Sequence, residues 1–185
     1  MKRILLIALL ALPAFAQRID LEVDPATTKV QWTLGDVLHT VKGTFRLKKG
    51  DLWFDPETGK AGGLLIVDAT SGESGSGARD GRMHKNVLES AKYPEITFAP
   101  DRVEGKVANT GDSEVQFHGI FTIHGAPHEI TMKAKTHRDA QKLTATLNFN
   151  VPYVKWGMKD PSTFILKVKD FVEIDVEATG RIRSN

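Results

Sequence analysis

Apolar and polar side chains alternate through most of this chain, and the period is two. Val30, Trp32 and Leu34 alternate with Lys29, Gln31 and Thr33, as in a strand with one buried face. The pattern resumes over residues 41–47 as Val41, Gly43, Phe45 and Leu47, where Gly43 predicts a bulge or sharp bend. A short strand over 51–54 ends at a turn, Asp55-Pro-Glu-Thr-Gly59. Residues 63–69 form a strongly apolar strand, and 95–98 and 101–107 two more. Residues 114–124 place Val115, Phe117, Gly119, Phe121 and Ile123 on one face; after Gly125-Ala-Pro127, residues 129–135 answer with Ile130, Met132 and Ala134. These two read as a hairpin. The strand at 143–151, with Leu147 and Phe149 on its apolar face, is followed by a long loop, 152–161, that carries Tyr153, Trp156 and Met158. Strands at 164–168 and 172–178 close the series.

One stretch breaks the period. Met83, Val87, Leu88 and Ala91 recur at helical spacing, and Pro94 predicts where that helix stops. A polar Gly/Ser segment, 71–77, reads as a flexible linker ahead of it. The helix either plugs the core or covers a cavity. The remainder is an all-β chain without βαβ spacing, which predicts a closed antiparallel barrel or a sandwich. A barrel of about eight strands is just wide enough to be filled by side chains or to hold one small ligand. Trp32, Phe45, Phe117, Phe121 and Phe149 either fill that interior or line it.

The N-terminus carries a different signal. Lys2 and Arg3, a short apolar run at 4–12 and Ala14-Phe-Ala16 make residues 1–16 a secretory signal peptide, with residues 17–185 as a single domain. The expected location is periplasmic or secreted, with no transmembrane anchor after cleavage, because the apolar run is far shorter than the ~20 residues that span a bilayer. Loss of Lys2 and Arg3 leaves 23 Lys and Arg against 23 Asp and Glu, so no basic excess predicts nucleic-acid binding. The chain has no cysteine, hence neither disulfides nor a thiol nucleophile.

Candidate chemistry is sparse. His124 and His128 flank the Gly-Ala-Pro turn but lack a third ligand, so no metal is expected. Gly72-Glu-Ser74-Gly-Ser76 has serine where a nucleophile elbow needs its last glycine. Gly75-Ser-Gly77-Ala-Arg-Asp80 breaks the dinucleotide pattern at its last glycine, and no cofactor is expected. Asp80 and His84, four residues apart on the expected helix, are the best polar pair. They serve either as a cap beside a solvated histidine or as a polar gate at a cavity mouth.

These pieces together resemble the YceI family of periplasmic or secreted lipid-binding proteins. The carrying residues are Val41-x-Gly43-x-Phe45, Gly50-x-Leu52-x-Phe54-Asp55, the helix motif Arg79, Asp80, Met83 and His84, and Lys92-Tyr93-Pro94-x-Ile96-x-Phe98. Gly119-x-Phe121-x-Ile123-x-Gly125 and Val172-x-Ile174-x-Val176 complete them. The segment Lys85-Asn86-Val87-Leu88-Glu89-Ser90 and the loop from Tyr153 to Pro161 depart from the family pattern. The resemblance implies an eight-stranded antiparallel, lipocalin-like barrel with its helical insertion near one end. It also implies an apolar pocket for an isoprenoid or other long-chain amphiphile, a homodimer, and no catalytic residue. On that basis the expected pocket wall is Trp32, Phe45, Phe54, Ile66, Met83, Val87, Phe98, Phe117, Phe121, Met132, Leu147 and Phe149, with Arg79, Asp80 and His84 as polar contacts at one end. Two rivals remain: an enzyme acting on such lipids through His84 and Asp80, and a ligand-free module that binds a partner through an exposed aromatic loop, 153–158.

Overall fold

The computed structural model describes residues 18–35, 39–164 and 167–183; the expected signal peptide lies outside them. Among these residues nine strands run in chain order as β1 (Ile19–Val23), β2 (Lys29–Gly35), β3 (Thr40–Phe54), β4 (Ala61–Glu73), β5 (Glu95–Glu104), β6 (Gly111–Ile123), β7 (Ala126–Asp139), β8 (Lys142–Val151) and β9 (Val172–Arg183). Between β4 and β5 lies helix α1 (Gly77–Arg82), continued by a π-helical turn, Met83–Val87. Every strand pairing is antiparallel, and the ladder closes as β2-β9-β8-β7-β6-β5-β4-β3 and back to β2. Nine strands therefore make an eight-position closed barrel, because β1 and β2 share one place end to end. Both pair with β3 and with β9, β1 against Asp51–Phe54 and β2 against Thr40–Phe45. The interruption is an Asx turn in which Asp24 accepts from the Ala26 N–H at 2.9 Å and the Thr27 hydroxyl at 2.8 Å.

The expected pairs 41–47 with 51–54 and 95–98 with 101–107 merge into single strands, β3 and β5, and β5 stops at Glu104, short of the expected end at Val107. Local irregularity hid this: β3 shifts register against β4 between Thr44 and Arg46 and again between Leu47 and Lys49, close to the bend that Gly43 predicted. The strand β1 was missed because five residues, IDLEV, are too short for alternation to register. The strand expected at 164–168 is absent among its described residues: Phe164 is fully exposed, and neither it nor Lys167 and Val168 belongs to a named strand. Ile165 and Leu166 lie outside the described residues.

The helix also differs. Ser71–Glu73 belong to β4, so the expected linker shrinks to Ser74–Ser76, and α1 begins at Gly77. Helical structure ends at Val87 rather than at Pro94. The Leu88 N–H bonds back to Met83 O at 2.9 Å, and Glu89 takes φ +46°, which turns the chain before proline is reached. Residues 89–93 then dock on the β6–β7 hairpin. Tyr93 lies 4.6 Å from the His124 ring, and His124 Nε2 meets Glu89 Oε2 at 2.5 Å. His124 and Gly125 carry φ +53° and +73°, the two left-handed residues of a type I′ turn, and a side chain on Gly125 would strike the Tyr93 ring at 2.5 Å.

The helical cover, the β2–β3 and β6–β7 hairpins and the 152–171 connection crowd one end of the barrel. The β3–β4, β5–β6 and β7–β8 connections form the other, where Phe54, Ala61, Val103, Val115 and Ala134 pack together.

Candidate ligand-binding cavity

Inward-facing positions of all the strands surround a cavity of about 810 Å³. On β2 and β3 its wall is formed by Trp32, Phe45 and Phe54; on β5 and β6 by Phe98, Phe117 and Phe121; on β7 and β8 by Met132, Leu147 and Phe149. Phe117, Leu147, Phe149, Ile174 and Val176 face inward yet are only half-buried. Their uncovered apolar surface is interior surface, so the barrel is not packed solid like an ordinary core. Lower in the barrel the wall narrows to small side chains. Ala145 pairs with Thr136 on one side and Ala178 on the other, and Thr28 lines the same region.

Of the expected wall residues, Ile66 does not line the cavity: Leu65 and Val67 do, and strand alternation turns Ile66 to the outer face. In an apolar run such as GGLLIVDA no polar partner marks which set faces in. Met83 and Val87 do line it, as do Ala78, Arg79, Arg82 and Asn86 from the same helical face.

Asp80 and His84 do not line the cavity. They hold the cover in place. Asp80 accepts from the Ser74 backbone N–H at 3.0 Å and from the Ser74 hydroxyl. That hydroxyl bond, more than any other influence, holds the Asp80 carboxyl below its usual range. Arg79 donates to the same residue, Nε to Ser74 Oγ at 2.7 Å and a terminal nitrogen to Ser74 O at 3.1 Å. His84 spans the other side: Nε2 lies 2.8 Å from Gly72 O and Nδ1 2.9 Å from Ser90 Oγ. A carbonyl only accepts, so the tautomer that satisfies both has its proton on Nε2 and accepts the Ser90 hydroxyl at Nδ1. Ser90 is buried, at 4 % exposure. The helix thus sits tightly on the end of β4. Gly72 makes the approach possible, since a Cβ there would meet Phe45 at 2.4 Å and Met83 at 2.8 Å.

The aromatic loop 153–158, which the ligand-free rival would expose to a partner, instead packs inward. Tyr153 and Met158 are 5 % and 3 % exposed and line the cavity. The Tyr153 hydroxyl donates to Lys169 O at 2.8 Å, and burial first, then Asp160 and Asp170, pushes its pKa up to about 12. Trp156 stacks on His128, with centroids 4.0 Å apart and planes 7° apart, and reaches Phe121 at 5.9 Å. The loop enters a seam, because β7 pairs with β8 only from Ala134 onward and leaves Ala126–Lys133 unpaired on that side. His124 and His128 therefore do not converge, one turned to Glu89 and the other under Trp156. Among the described residues no group of three His, Asp or Glu side chains could hold a metal ion. The remaining rim of the cavity comes from residues 159–163, Lys159, Asp160, Pro161, Ser162 and Thr163. Nothing in the sequence placed them opposite α1.

Residues 21–180 match the family described as YceI-like domain. Among solved structures, Burkholderia cenocepacia BcnA is 18% identical over 85% of this chain and 98% of its own, with a TM-score of 0.69. A polyisoprenoid binding domain from Saccharophagus degradans, implicated in plant cell wall breakdown, is 17% identical over 88% of this chain and 98% of its own, with a TM-score of 0.67. A Campylobacter jejuni YceI protein is 20% identical over 80% of this chain and 88% of its own, with a TM-score of 0.64. No curated protein matches the sequence. The closed eight-position barrel, its short helical cover and the match over residues 21–180 agree: the chain belongs to the YceI-like domain family.

Proposed function

We propose that this protein is a secreted or periplasmic, non-catalytic carrier that holds the tail of an isoprenoid or similar long-chain amphiphile inside its barrel. One observation carries the reading: a closed barrel whose inner wall, apolar along most of its length, encloses about 810 Å³. A carbon of a packed hydrocarbon tail takes up about the volume of a liquid water, ~30 Å³. The cavity therefore accommodates a tail of roughly 25 carbons, about five isoprene units. Each buried methylene contributes ~0.8 kcal/mol, so the tail supplies the affinity without many polar contacts. The Saccharophagus degradans neighbour, a polyisoprenoid binding domain, supports the choice of tail. The basic, apolar and Ala-Phe-Ala segments of residues 1–16 support export. The engagement of Asp80 by Ser74 and of both His84 ring nitrogens by Gly72 and Ser90 supports a binding role over an enzymatic one.

Native mass spectrometry of the mature protein purified from its own envelope tests this. A stoichiometric long-chain adduct, released by denaturation and identified after organic extraction, is the expected result. A bare polypeptide mass that also fails to shift on incubation with polyprenyl compounds would overturn the carrier reading.

A further inference from the structure

The cavity has one polar end. Of its lining, the charged side chains are Arg79, Arg82, Lys159 and Asp160, and all four stand at the rim between the helical cover and the 159–163 loop. Three cations face one carboxylate. Arg79 is fixed by its two bonds to Ser74. Arg82 and Lys159 are exposed and make no ion pair with the described residues, whereas other surface cations such as Lys29, Lys48 and Arg183 do. Asp160 is turned into its own loop, where Oδ1 accepts the Ser162 N–H at 2.8 Å. Asn86 and Ser76 add neutral hydrogen-bonding groups to the same rim.

We propose that this rim selects an anionic head group, so that the preferred ligand is a long-tailed phosphate or carboxylate rather than a neutral lipid, with Arg82 and Lys159 contacting the head and Arg79 preset beside them. The inference rests on the carrier reading, which places the tail in the barrel and so brings the head to the rim. Arginine and lysine complement each other in gripping such a head, because guanidinium holds two oxygens at once while the ammonium adapts as a point charge. Neither residue contributes to the core, so both are free to be replaced without loss of the fold.

The test compares geranylgeranyl phosphate with geranylgeraniol, which share one tail, by displacement of a fluorescent lipid. The phosphate should bind at least about tenfold more tightly at low ionic strength, and salt should erode that advantage. In the double variant Arg82→Glu, Lys159→Glu, shown to be folded by its circular dichroism and melting temperature, the preference should disappear while the affinity for the alcohol stays unchanged. Inorganic phosphate should not displace the prenyl phosphate. Equal affinities in the native protein, or a preference that survives in the folded double variant, would overturn the head-group assignment and leave the carrier reading standing. Displacement by inorganic phosphate would reduce the rim to a bare anion site and likewise overturn it. If neither prenyl compound binds, both the carrier reading and this inference fall.

Discussion

The belt of small residues low in the barrel sets how long a tail the cavity can take. Ala145 and Ala178 face each other across β8 and β9 and both line the cavity. Replacing both by leucine adds six carbons in all, and at ~30 Å³ each removes about 180 Å³ from the 810 Å³ present. Capacity then falls by about six carbons, from roughly 25 to roughly 19. Six methylenes at ~0.8 kcal/mol put the upper limit of the loss near ~5 kcal/mol for a tail that uses the whole cavity. Partial escape of the tail through the rim lowers this, so a loss of at least about a hundredfold, or ~2.7 kcal/mol, is expected. Shorter tails should bind as before. Affinity measured by fluorescent displacement for prenyl alcohols of increasing length should rise and then level off, and the break should come about six carbons earlier in Ala145→Leu, Ala178→Leu. Its thermal stability should not fall, since the added groups occupy existing space. An unchanged break in a folded double variant would show that the tail does not occupy the lower barrel.

Three further outcomes follow from the cover and the histidines. His84→Ala leaves the Gly72 carbonyl and the buried Ser90 hydroxyl without their partner, which should cost about 2–4 kcal/mol in urea unfolding; an unchanged midpoint would mean that the helix is not anchored there. Gly72→Val forces a side chain against Phe45 and Met83 and should cost about 1–3 kcal/mol while weakening tail binding, whereas wild-type stability and affinity together would refute the close approach. His118, whose nitrogens meet Asp101 at 2.6 Å and Glu129 at 2.8 Å, has its pKa raised above 6.5 by Asp101 first and then Glu129, so its stabilisation is complete below that value and is lost as pH rises through the raised one. His128 has its pKa lowered from 6.5 by burial alone, so its contribution is intact above 6.5 and is lost as pH falls through the lowered value. Melting temperatures between pH 5 and 8 should show His118→Gln losing stability on the acid side and His128→Phe gaining it there; parallel profiles for the two variants would refute the assignment.

Legibility followed the strength of alternation. Long strands with a polar outer face, β6 and β7 above all, showed their inward and outward sets in the sequence, although β7 runs Ala126–Asp139 where 129–135 was expected and the turn falls at His124 and Gly125 rather than at 125–127. The aromatic wall positions Phe117, Phe121 and Phe149 on β6 and β8 were readable too. Ile66 was misplaced because its neighbours on both sides are apolar, and β1 was missed because it is brief. Asp80 and His84 were recognised as a pair, but helical spacing shows only that two side chains share a neighbourhood. It cannot reveal that β4 extends to Glu73 and brings Gly72 and Ser74 beneath them. The burial of the 153–158 loop, against the ligand-free rival, was hidden for a related reason. Tyr153 and Met158 have no periodic context, and their burial depends on where β7 and β8 part. The rim residues on 159–163 lie about eighty positions from α1 in sequence, a separation that no local pattern bridges.

Scaffold and cargo selection fall to different residues of this chain. Most of those that carry the family resemblance in the cover are occupied with architecture: Asp80 with Ser74, His84 with Gly72 and Ser90, Tyr93 with the His124–Gly125 turn, while Arg79 is bonded to Ser74 and also stands at the rim. They explain why a short helix, too small to be stable alone, is fixed over an apolar barrel. The groups that would choose a ligand lie elsewhere, in the small belt at Ala145 and Ala178 and in the cations Arg82 and Lys159 at the rim. A change at the first set should loosen the cover for every ligand alike. A change at the second should alter tail length or head charge separately and leave the cover seated. Two proteins of this family can therefore share the motif and differ in cargo, and the motif alone identifies the scaffold rather than the lipid.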